Sequence, residues 1–404
     1  MPRSRHAVLF SLSTLAVITY LDRLCISIAG PRMQLEGGYT PEQWGWIVGI
    51  FALSYGGLEI PAGGLGDRFG QRAVITRIVL WWSVFTALTG SVSGFAVLLA
   101  VRLLFGAGEA GAFPNMSGVI SRWYPAGERA RAQGVLWGSS RLGGVLAPLV
   151  VVPMMVKLGW RPTFWILGAI GIAWAATWRT WYRDPPQNPH AGHAGVPWKK
   201  LFRSRQLWRI MLMYSLYGWG SYFYLSWLHT YLVKGRGLTE KEMGIFSTLP
   251  FILGACSNLA GGFLSDHLAR RWGLRNGRRV VGAFALGAAS LCVLGTALTT
   301  DKITGVVLIS AGYGCMDLML PSAWAMCLDL GGRYAGAVSG AMNSSGQVGG
   351  FTCSVLFGYL VRLYGNYNAP LFAIALMLLL SAFVFFRIDS SRPILAEEAA
   401  AQTV

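Results

Sequence analysis

The stretch AVLFSLSTLAVITYLDRLCISIAG (residues 7–30) is apolar over a length that can cross a lipid bilayer, yet it holds an adjacent carboxylate and guanidinium. A transmembrane helix needs about 20 mostly apolar residues. The run is too long for the hydrophobic segment of a signal peptide and has no clear cleavage site, so we expect it to remain in the mature protein. Because a charge inside a membrane needs a partner or a water-filled cavity, Asp22 and Arg23 predict that this helix lines a polar site.

The composition of the whole chain indicates a membrane protein. Of its 404 residues, 54% are hydrophobic and 13% are charged, whereas soluble domains carry about 25% charged residues. We identify twelve apolar segments, and these must be helices because lipid cannot satisfy open backbone groups. Their approximate bounds are 7–30, 44–64, 73–94, 95–119, 132–156, 160–182, 207–233, 241–267, 278–298, 302–328, 334–360 and 366–388. The predicted fold class is therefore all-α integral membrane with twelve transmembrane helices.

The net charge of +17 lies mainly in short loops between apolar segments, which argues against a nucleic-acid partner. Lys and Arg concentrate in the loops on the N-terminal side, in clusters such as KKLFRSR (199–205) and RRWGLRNGRR (270–279). By the positive-inside rule we expect a multi-pass protein of the inner (cytoplasmic) membrane with both termini in the cytoplasm. The six cysteines have neither metal-ligand nor disulfide-framework spacing, so we expect no metal and no other cofactor.

Two pairs of similar motifs indicate an internal duplication. AGGLGD (62–67) resembles GGFLSD (261–266), and SSRLGG (139–144) resembles SSGQVGG (344–350), both at an offset of about 200 residues. The segment RDPPQNPHAGHAGVP (183–197) has no apolar run and is typical of a linker. The predicted organisation is an N-terminal six-helix bundle (1–182), a cytoplasmic linker (183–206), a C-terminal six-helix bundle (207–388) and a cytoplasmic tail (389–404).

Seven charged residues lie in the interior of the predicted spans, away from their ends: Asp22, Arg23, Glu59, Arg102, Glu109, Arg141 and Asp317. A charged residue at a helix centre costs about 2.5–3.5 kcal/mol on insertion scales. With a rise of about 1.5 Å per residue, Asp22 and Arg102 reach the same outer layer and can pair. A middle layer, about 13–17 Å from the inner ends, holds Tyr55, Glu109, Arg141, Asn343 and Asp317. Two interpretations stay open, neutralised pairs that hold helices together and groups that bind a charged ligand.

Charge and helical spacing favour the second interpretation. The pairs that share a helix face are Tyr55 with Glu59, Arg102 with Glu109, and Asn343 with Gln347. When all seven ionisable groups are charged, four are negative and three are positive, which repels an anion. Protonation of two carboxylates makes the sum positive, so proton loading favours anion binding in the same cavity. This coupling predicts symport.

Four motifs carry a family resemblance: YLDR (20–23), GGLGDRFGQR (63–72), RLLFGAGEAGAFP (102–114) and GAMNSSGQVGG (340–350). Through them the chain resembles the major facilitator superfamily over almost its whole length. Within it, the chain is similar to the anion:cation symporter family, which includes bacterial hexonate and hexuronate carriers and animal phosphate, sialic-acid and glutamate carriers. The resemblance implies two parallel six-helix repeats with a substrate site between them near mid-membrane.

The resemblance also implies roles for individual residues. Asp22 and Glu109 would handle protons, Arg23 and Arg102 would handle substrate charge, and Tyr55 and Asn343 would contact substrate. We add Ser140, Arg141 and Gln347 as candidate substrate contacts, Glu59 and Asp317 as possible further site residues, and Asp67, Arg68 and Asp266 as gating residues. The chain departs from the sugar-acid carriers at Glu59, at Ser140 and Arg141, and at His229.

The function we expect is a proton-coupled secondary active symporter of small organic anions, in particular sugar acids (hexonate, hexuronate or aldarate), working by alternating access. Sodium is the alternative coupling ion. Two alternatives are a phosphate or organophosphate exchanger and a transporter-like ligand sensor. An enzyme is disfavoured because the spans show no nucleophile–base pair and no metal signature. The expected partners are the small anionic substrate and the lipid bilayer, with the protein as a monomer.

Overall fold

The computed structural model describes residues 5–63, 65–124, 126–185, 196–391 and 394, and every regular element within these ranges is helical. The helices are α1 (Arg5–Gly37), α2 (Pro41–Gly63), α3 (Leu65–Phe69), α4 (Gln71–Ser91), α5 (Phe95–Glu109), α6 (Ala112–Trp123), α7 (Ala126–Leu158), α8 (Trp160–Trp181), α9 (Trp198–Leu201), α10 (Arg205–Tyr222), α11 (Leu228–Thr230), α12 (Glu240–Phe246), α13 (Thr248–Leu298), α14 (Lys302–Gly331), α15 (Ala335–Tyr364) and α16 (Ala369–Phe386). Short π-helical turns (Phe223–Trp227, Tyr231–Gly235) flank α11, and a 3₁₀ turn (Gly332–Tyr334) precedes α15.

Within the described residues, eight helical segments have the length and composition to cross a membrane. One of them, Glu240–Leu298, holds two spans, because α13 breaks at Gly273, whose φ of 80° suits glycine. The other three predicted spans correspond to α8, to α10 with the turns that follow it, and to α15. Phe263 and Phe284 expose 80% and 74% of their surface, as expected of side chains that face lipid. The helices thus account for all twelve predicted spans.

The fourth span is discontinuous. Helix α5 ends at Glu109 and α6 begins at Ala112, with Gly111 between them at a φ of 84°. The amide of Asn115 donates to the carbonyl oxygens of Gly111 at 2.7 Å and of Ala62 at 3.1 Å, which satisfies backbone groups near the break. Irregular backbone at membrane depth is tolerated where protein or a cavity surrounds it, and it is frequent at transport sites. The break therefore marks Glu109, the last residue of α5, as a candidate site residue.

One compact unit of the fold comprises Met1–Ala191, Leu225–Leu249 and Ser354–Arg362. Inside it, α4 packs along α8, α1 along α7, and α2 along α5. Large aromatic side chains fill its interior. Trp82 and Trp178 are both 1% exposed, and the Trp178 ring stacks on Tyr182 at a centroid distance of 3.9 Å. This unit contains α1, α2 and α5, which carry the ionisable residues of the first predicted repeat up to Glu109.

The second unit comprises Gly192–Tyr224, Pro250–Cys353 and Leu363–Val404. In it, α10 packs against α16 and α14. Side-chain to backbone hydrogen bonds join these helices. The hydroxyl of Ser381 donates to the carbonyl oxygen of Met213 at 2.7 Å, and that of Tyr224 donates to the carbonyl oxygen of Ile309 at 2.6 Å. These bonds satisfy hydroxyls that are buried between the helices.

Candidate functional site

A buried ion pair links α1 to the broken end of α5. Two guanidinium nitrogens of Arg23 donate to the Oε1 atom of Glu109, and the Nε contact measures 3.1 Å. The side chains are 10% and 1% exposed, respectively. The other carboxylate oxygen of Glu109, Oε2, accepts no hydrogen bond from any residue that the structure describes. The pair therefore neutralises both charges while it leaves one acceptor position unused.

Aromatic rings surround the two arginines. The Phe51 ring lies 5.2 Å from the guanidinium of Arg23 and 5.3 Å from that of Arg102. Tyr55 lies 4.9 Å from Arg23, and Phe105 lies 4.5 Å from Arg102. Aromatic faces attract a cation without using its N–H donors. The arrangement holds two positive groups around one ring, that of Phe51.

Asp22 and Arg102 are both buried, at 2% and 3% exposure. The sequence left open whether these two residues pair; in the described structure no ion pair within 4.0 Å joins them, although they interact electrostatically. Across the described chain, neither Asp22 oxygen meets the geometry of a hydrogen bond, although the Trp82 side chain interacts with this carboxyl group, and the Nε of Arg102 donates no hydrogen bond. Equal depth was not sufficient for pairing, because successive helix residues point about 100° apart and it is Arg23 that faces α5. Asp22 is left as a buried carboxyl beside a guanidinium that it does not contact.

Tyr55 and Glu59 extend the site along α2. They share a helix face, as their spacing predicts, and the Tyr55 hydroxyl donates to Glu59 Oε1 at 3.4 Å. Both residues are buried, and Tyr55 also interacts electrostatically with Arg23 and Glu109. The structure thus brings together Asp22, Arg23, Tyr55, Glu59, Arg102 and Glu109. We call these six residues the charge cluster.

Ser140 and Arg141, the candidates on α7, differ in environment. Ser140 is buried and its hydroxyl donates to the Leu136 carbonyl oxygen at 3.2 Å, within its own helix. That bond occupies its only hydrogen-bond donor. Arg141 is half-buried. The Ser140 hydroxyl is therefore engaged by the backbone of α7, whereas Arg141 has the larger accessible surface of the two.

The second unit holds the candidates from the second predicted repeat. The Tyr222 hydroxyl donates to Gln347 Oε1, and both residues are buried. Asn343 lies one turn earlier on α15 and is half-buried. Asp317 on α14 is fully buried. A tyrosine on α10 that orients Gln347 was missed by the sequence analysis, because Tyr222 is one of several aromatic residues in an apolar span.

The predicted gating residues lie in different environments. Asp266 pairs with Arg278 at 3.7 Å, and Arg278 also pairs with Asp329 at 2.6 Å. Arg68 is exposed, with its guanidinium 5.2 Å from the ring of Phe69. The side chain of Asp67 lies outside the described residues. Arg278 thus joins two acidic residues within the second unit.

A set of polar contacts that the sequence analysis missed lies in the first unit. Arg32 donates to Glu240 Oε1 at 2.7 Å and to the Met155 carbonyl oxygen at 2.6 Å. The Ser27 hydroxyl is hydrogen-bonded to His229 Nδ1 at 2.9 Å. Arg32 and Glu240 resemble ordinary residues at helix ends, so no sequence signal identified them. We call these contacts the α1 latch.

Aromatic and ionic contacts extend the packing around the α1 latch. Trp227 donates to the carbonyl oxygen of Ser354 at 2.9 Å, and its ring stacks on Phe357. Glu42 on α2 pairs with Arg362 at 2.8 Å. Residues 225–249 and 354–362, which belong to the second predicted repeat, therefore pack with α1 and α2 in one unit.

Comparisons with known proteins agree with this architecture. The model of the Major Facilitator Superfamily matches residues 12–354. The chain is 33% identical over 388 residues to the probable sulfoacetate transporter SauU of Cupriavidus necator, an alignment that covers 91% of this chain and 90% of that protein. It is 29% identical over 368 residues to a probable L-galactonate transporter of Escherichia coli, covering 86% and 81% of the two chains.

Further relatives and solved structures are consistent with these matches. The hexuronate transporter of Bacillus subtilis is 27% identical over 380 residues, covering 91% of this chain and 90% of that protein. A solved bacterial homologue of the human lysosomal transporter Spinster superposes with a TM-score of 0.82 at 20% identity, covering 96% of this chain and 97% of that one. At that identity the superposition supports the fold alone.

Proposed function

Because the chain belongs to the Major Facilitator Superfamily and is a multi-pass membrane transporter rather than an enzyme, we propose that it is a proton-coupled symporter of small organic anions. The observation that carries this proposal is the buried charge cluster around the Arg23–Glu109 ion pair. Intramembrane charges are costly, and they are retained where they bind a substrate or move a proton. The charge cluster contains arginines that can bind an anionic substrate and carboxylates that can bind and release a proton.

The sum of the charges in the cluster makes anion binding depend on protons. Its two arginines and three carboxylates give a net charge of −1 when all are ionised. Each proton bound raises that sum by one, so a protonated cluster accepts an anion that the ionised cluster repels. Asp22, whose oxygens meet no hydrogen-bond geometry in the described structure, is one candidate for the proton.

Glu109 supplies a more direct coupling step. While it is ionised, its Oε1 atom engages two donors of Arg23. Protonation removes its charge and weakens that pair, which leaves the guanidinium to a carboxylate or sulfonate of the substrate. Proton and substrate then favour each other, because each stabilises the state in which Arg23 has left Glu109.

Alternating access is proposed to complete the cycle. In the orientation with both termini in the cytoplasm, Arg32, near the end of α1, is external, and the α1 latch seals the outer side. Opening then requires breakage of the Arg32–Glu240 and Ser27–His229 contacts. Asp67, Arg68 and Asp266 are proposed to serve the inner gate. Each gate opens only while the other is closed, which couples the movement of the proton to that of the substrate.

The relatives guide the choice of substrate. The relatives are named as probable sulfoacetate and L-galactonate transporters and as a hexuronate transporter; all three compounds carry a carboxylate, and sulfoacetate has a second anionic group. We propose such an organic anion, either a sugar acid or a short sulfonated acid. Arginine suits both groups because its planar donors match a carboxylate or a sulfonate. The proposed form is a monomer in the cytoplasmic membrane, with the proton as the coupling ion.

Uptake by purified protein in liposomes tests the proposal. An imposed pH gradient, acidic outside, should drive accumulation of sulfoacetate or a sugar acid, and collapse of the gradient should abolish it. Counterflow with unlabelled substrate should persist without any gradient, which distinguishes a transporter from a sensor. Accumulation driven by a sodium gradient alone, or exchange restricted to phosphate, would contradict the proposal.

A further inference from the structure

A surface groove of about 620 Å³ runs between α4 and the end of α8. Leu80, Trp81, Val84 and Phe85 form its apolar part, and Arg77 and Arg179 line it as well. Leu80, Trp81 and Val84 are 39%, 43% and 45% exposed in a helix that can cross the membrane. The groove therefore opens toward lipid and combines an apolar channel with two cations.

The two arginines lie close to the ends of their helices. Arg77 is six residues after the start of α4, about 9 Å along the helix, and Arg179 lies in the last turn of α8. This depth matches the boundary between acyl chains and headgroups, which long basic side chains reach. Arg72 donates to the Arg179 carbonyl oxygen at 2.9 Å and so joins the two helix ends.

Positive charge dominates this end of the groove. Arg72 is subject to repulsion from Arg179 and Arg183 as well as attraction to Asp184. The carboxylate of Asp184 already accepts hydrogen bonds from the backbone amides of Gln71 and Arg72, at 3.1 Å each. Among the side chains that the structure describes here, this one engaged carboxylate does not neutralise the arginines, so they are in excess for an anionic headgroup.

We infer that this groove binds one anionic phospholipid, with its phosphate on Arg77 and Arg179 and one acyl chain along Leu80, Val84 and Phe85. The charge of the site selects the headgroup, and the apolar channel selects a lipid over a free phosphate. In the proposed orientation the lipid lies in the cytoplasmic leaflet, where anionic lipids attract basic residues.

The lipid would lie against a side chain that contacts the transport helix. Trp81 donates from its indole nitrogen to the Leu104 carbonyl oxygen at 2.8 Å. Its ring also occupies the space that a Cβ atom on Gly108 would need, next to Glu109. An acyl chain in the groove supports Trp81 from the opposite side. A consequence for transport, which rests on the proposed function, is that lipid binding stabilises the position of Glu109.

Native mass spectrometry of the purified full chain tests the site without any need for transport. The probes are phosphatidylglycerol and phosphatidylcholine with the same acyl chains. We expect the unmodified protein to retain one phosphatidylglycerol selectively, and R77Q combined with R179Q to weaken this binding about 30-fold. R77K combined with R179K should retain it, because the positive charges remain. R270Q combined with R271Q removes two exposed cations elsewhere and should have no effect.

Two further arms separate a lipid from a free anion. V84W fills the apolar channel without changing charge, and it should displace the bound phosphatidylglycerol. Glycerol phosphate should not compete at equal concentration, because it lacks acyl chains. Equal retention of both lipids, unchanged binding in the double glutamine variant, or full competition by glycerol phosphate would each overturn the inference. Thermal unfolding of each variant verifies that it is folded.

Discussion

Arg23 and Glu109 are 86 positions apart in the chain, yet they form an ion pair at the point where the fourth span breaks. The last turn of α5 exposes carbonyl groups with partial negative charge, which disfavours a carboxylate unless a cation compensates. Arg23 on α1 is that cation. The stability of this arrangement therefore depends on the protonation of Glu109.

Glu109→Gln should abolish accumulation driven by a pH gradient and retain counterflow. Glutamine has the shape of a protonated glutamate but cannot release a proton, so the cycle loses its titrating step. Uptake into liposomes, with and without the gradient, measures both activities. Glu36→Gln, a change at an exposed carboxylate paired with Arg161, is the control and should behave like the unmodified protein. Gradient-driven accumulation in Glu109→Gln at the unmodified level would remove Glu109 from the coupling step.

A double-mutant cycle should reveal strong coupling between Arg23 and Glu109. Arg23→Met leaves a buried carboxylate without its cation, and loss of one partner of such a pair costs about 3–5 kcal/mol. Addition of Glu109→Gln should recover much of that loss. The free energy of unfolding, measured by chemical denaturation in mixed micelles, gives the coupling energy.

The matched cycle is Arg102→Met with Asp22→Asn, whose charged atoms do not pair directly. Its coupling energy should be smaller than that of Arg23 and Glu109. A larger coupling energy for Arg102 and Asp22 than for Arg23 and Glu109 would mean that the Arg23–Glu109 ion pair is not the dominant interaction in the charge cluster.

Hydropathy and charge were sufficient to predict the helical spans, because apolar length and isolated charges are local properties of a sequence. The sequence also identified Asp22, Arg23, Tyr55, Glu59, Arg102 and Glu109, which the structure brings together. It did not predict which acid pairs with which arginine. Depth follows from position in a span, whereas pairing depends on how each helix is rotated about its axis. The rotations of α1 and α5 are set by packing against neighbouring helices.

The break at Gly111 and the α1 latch are also features that the sequence did not predict, because they depend on contacts between distant parts of the chain. The sequence GAGEAG is compatible with close helix packing as well as with a break, and the choice depends on the neighbouring α2. Arg32 and Glu240 lie 208 residues apart, and nothing local relates them. Contacts of this kind follow from the tertiary fold, so periodicity alone does not reveal them.

Gly111→Ala should destabilise the protein. Its φ of 84° costs an alanine about 1–2 kcal/mol, and a Cβ there would lie 2.7 Å from that of Ala62. Gly57→Ala is the matched control, because Gly57 is inside α2 and a Cβ there meets no atom within 4 Å. That control should leave stability unchanged or increase it. Equal melting temperatures for the two variants would show that the break does not require glycine.

Glu240→Gln should weaken the α1 latch and expose Ser27. In a cysteine-free background carrying Ser27→Cys, we expect faster modification by a membrane-impermeant thiol reagent added outside when Glu240 is replaced. The physical reason is the loss of a charge-assisted hydrogen bond from Arg32, which favours the closed arrangement. Glu36→Gln, which alters a different ion pair of α1, should leave the rate unchanged. Identical rates in all three backgrounds would contradict a sealing role.

Arg141→Gln should change substrate selectivity. Arg141 is half-buried on α7, at the depth predicted for the middle layer. A second cation at that depth favours a ligand with two anionic ends, so the variant should lose sulfoacetate or an aldarate while it retains a monocarboxylate sugar acid.

The competing account is that Arg141 neutralises an acidic residue within the protein, and then stability and all transport should decline together. Initial uptake rates for one dianion and one monoanion, with melting temperatures, distinguish the two accounts. Arg141→Lys is the control, because it retains the charge and should retain the dianion. Equal loss of both substrates with a lower melting temperature would eliminate the selectivity role, because removal of a ligand-binding cation weakens the dianion most.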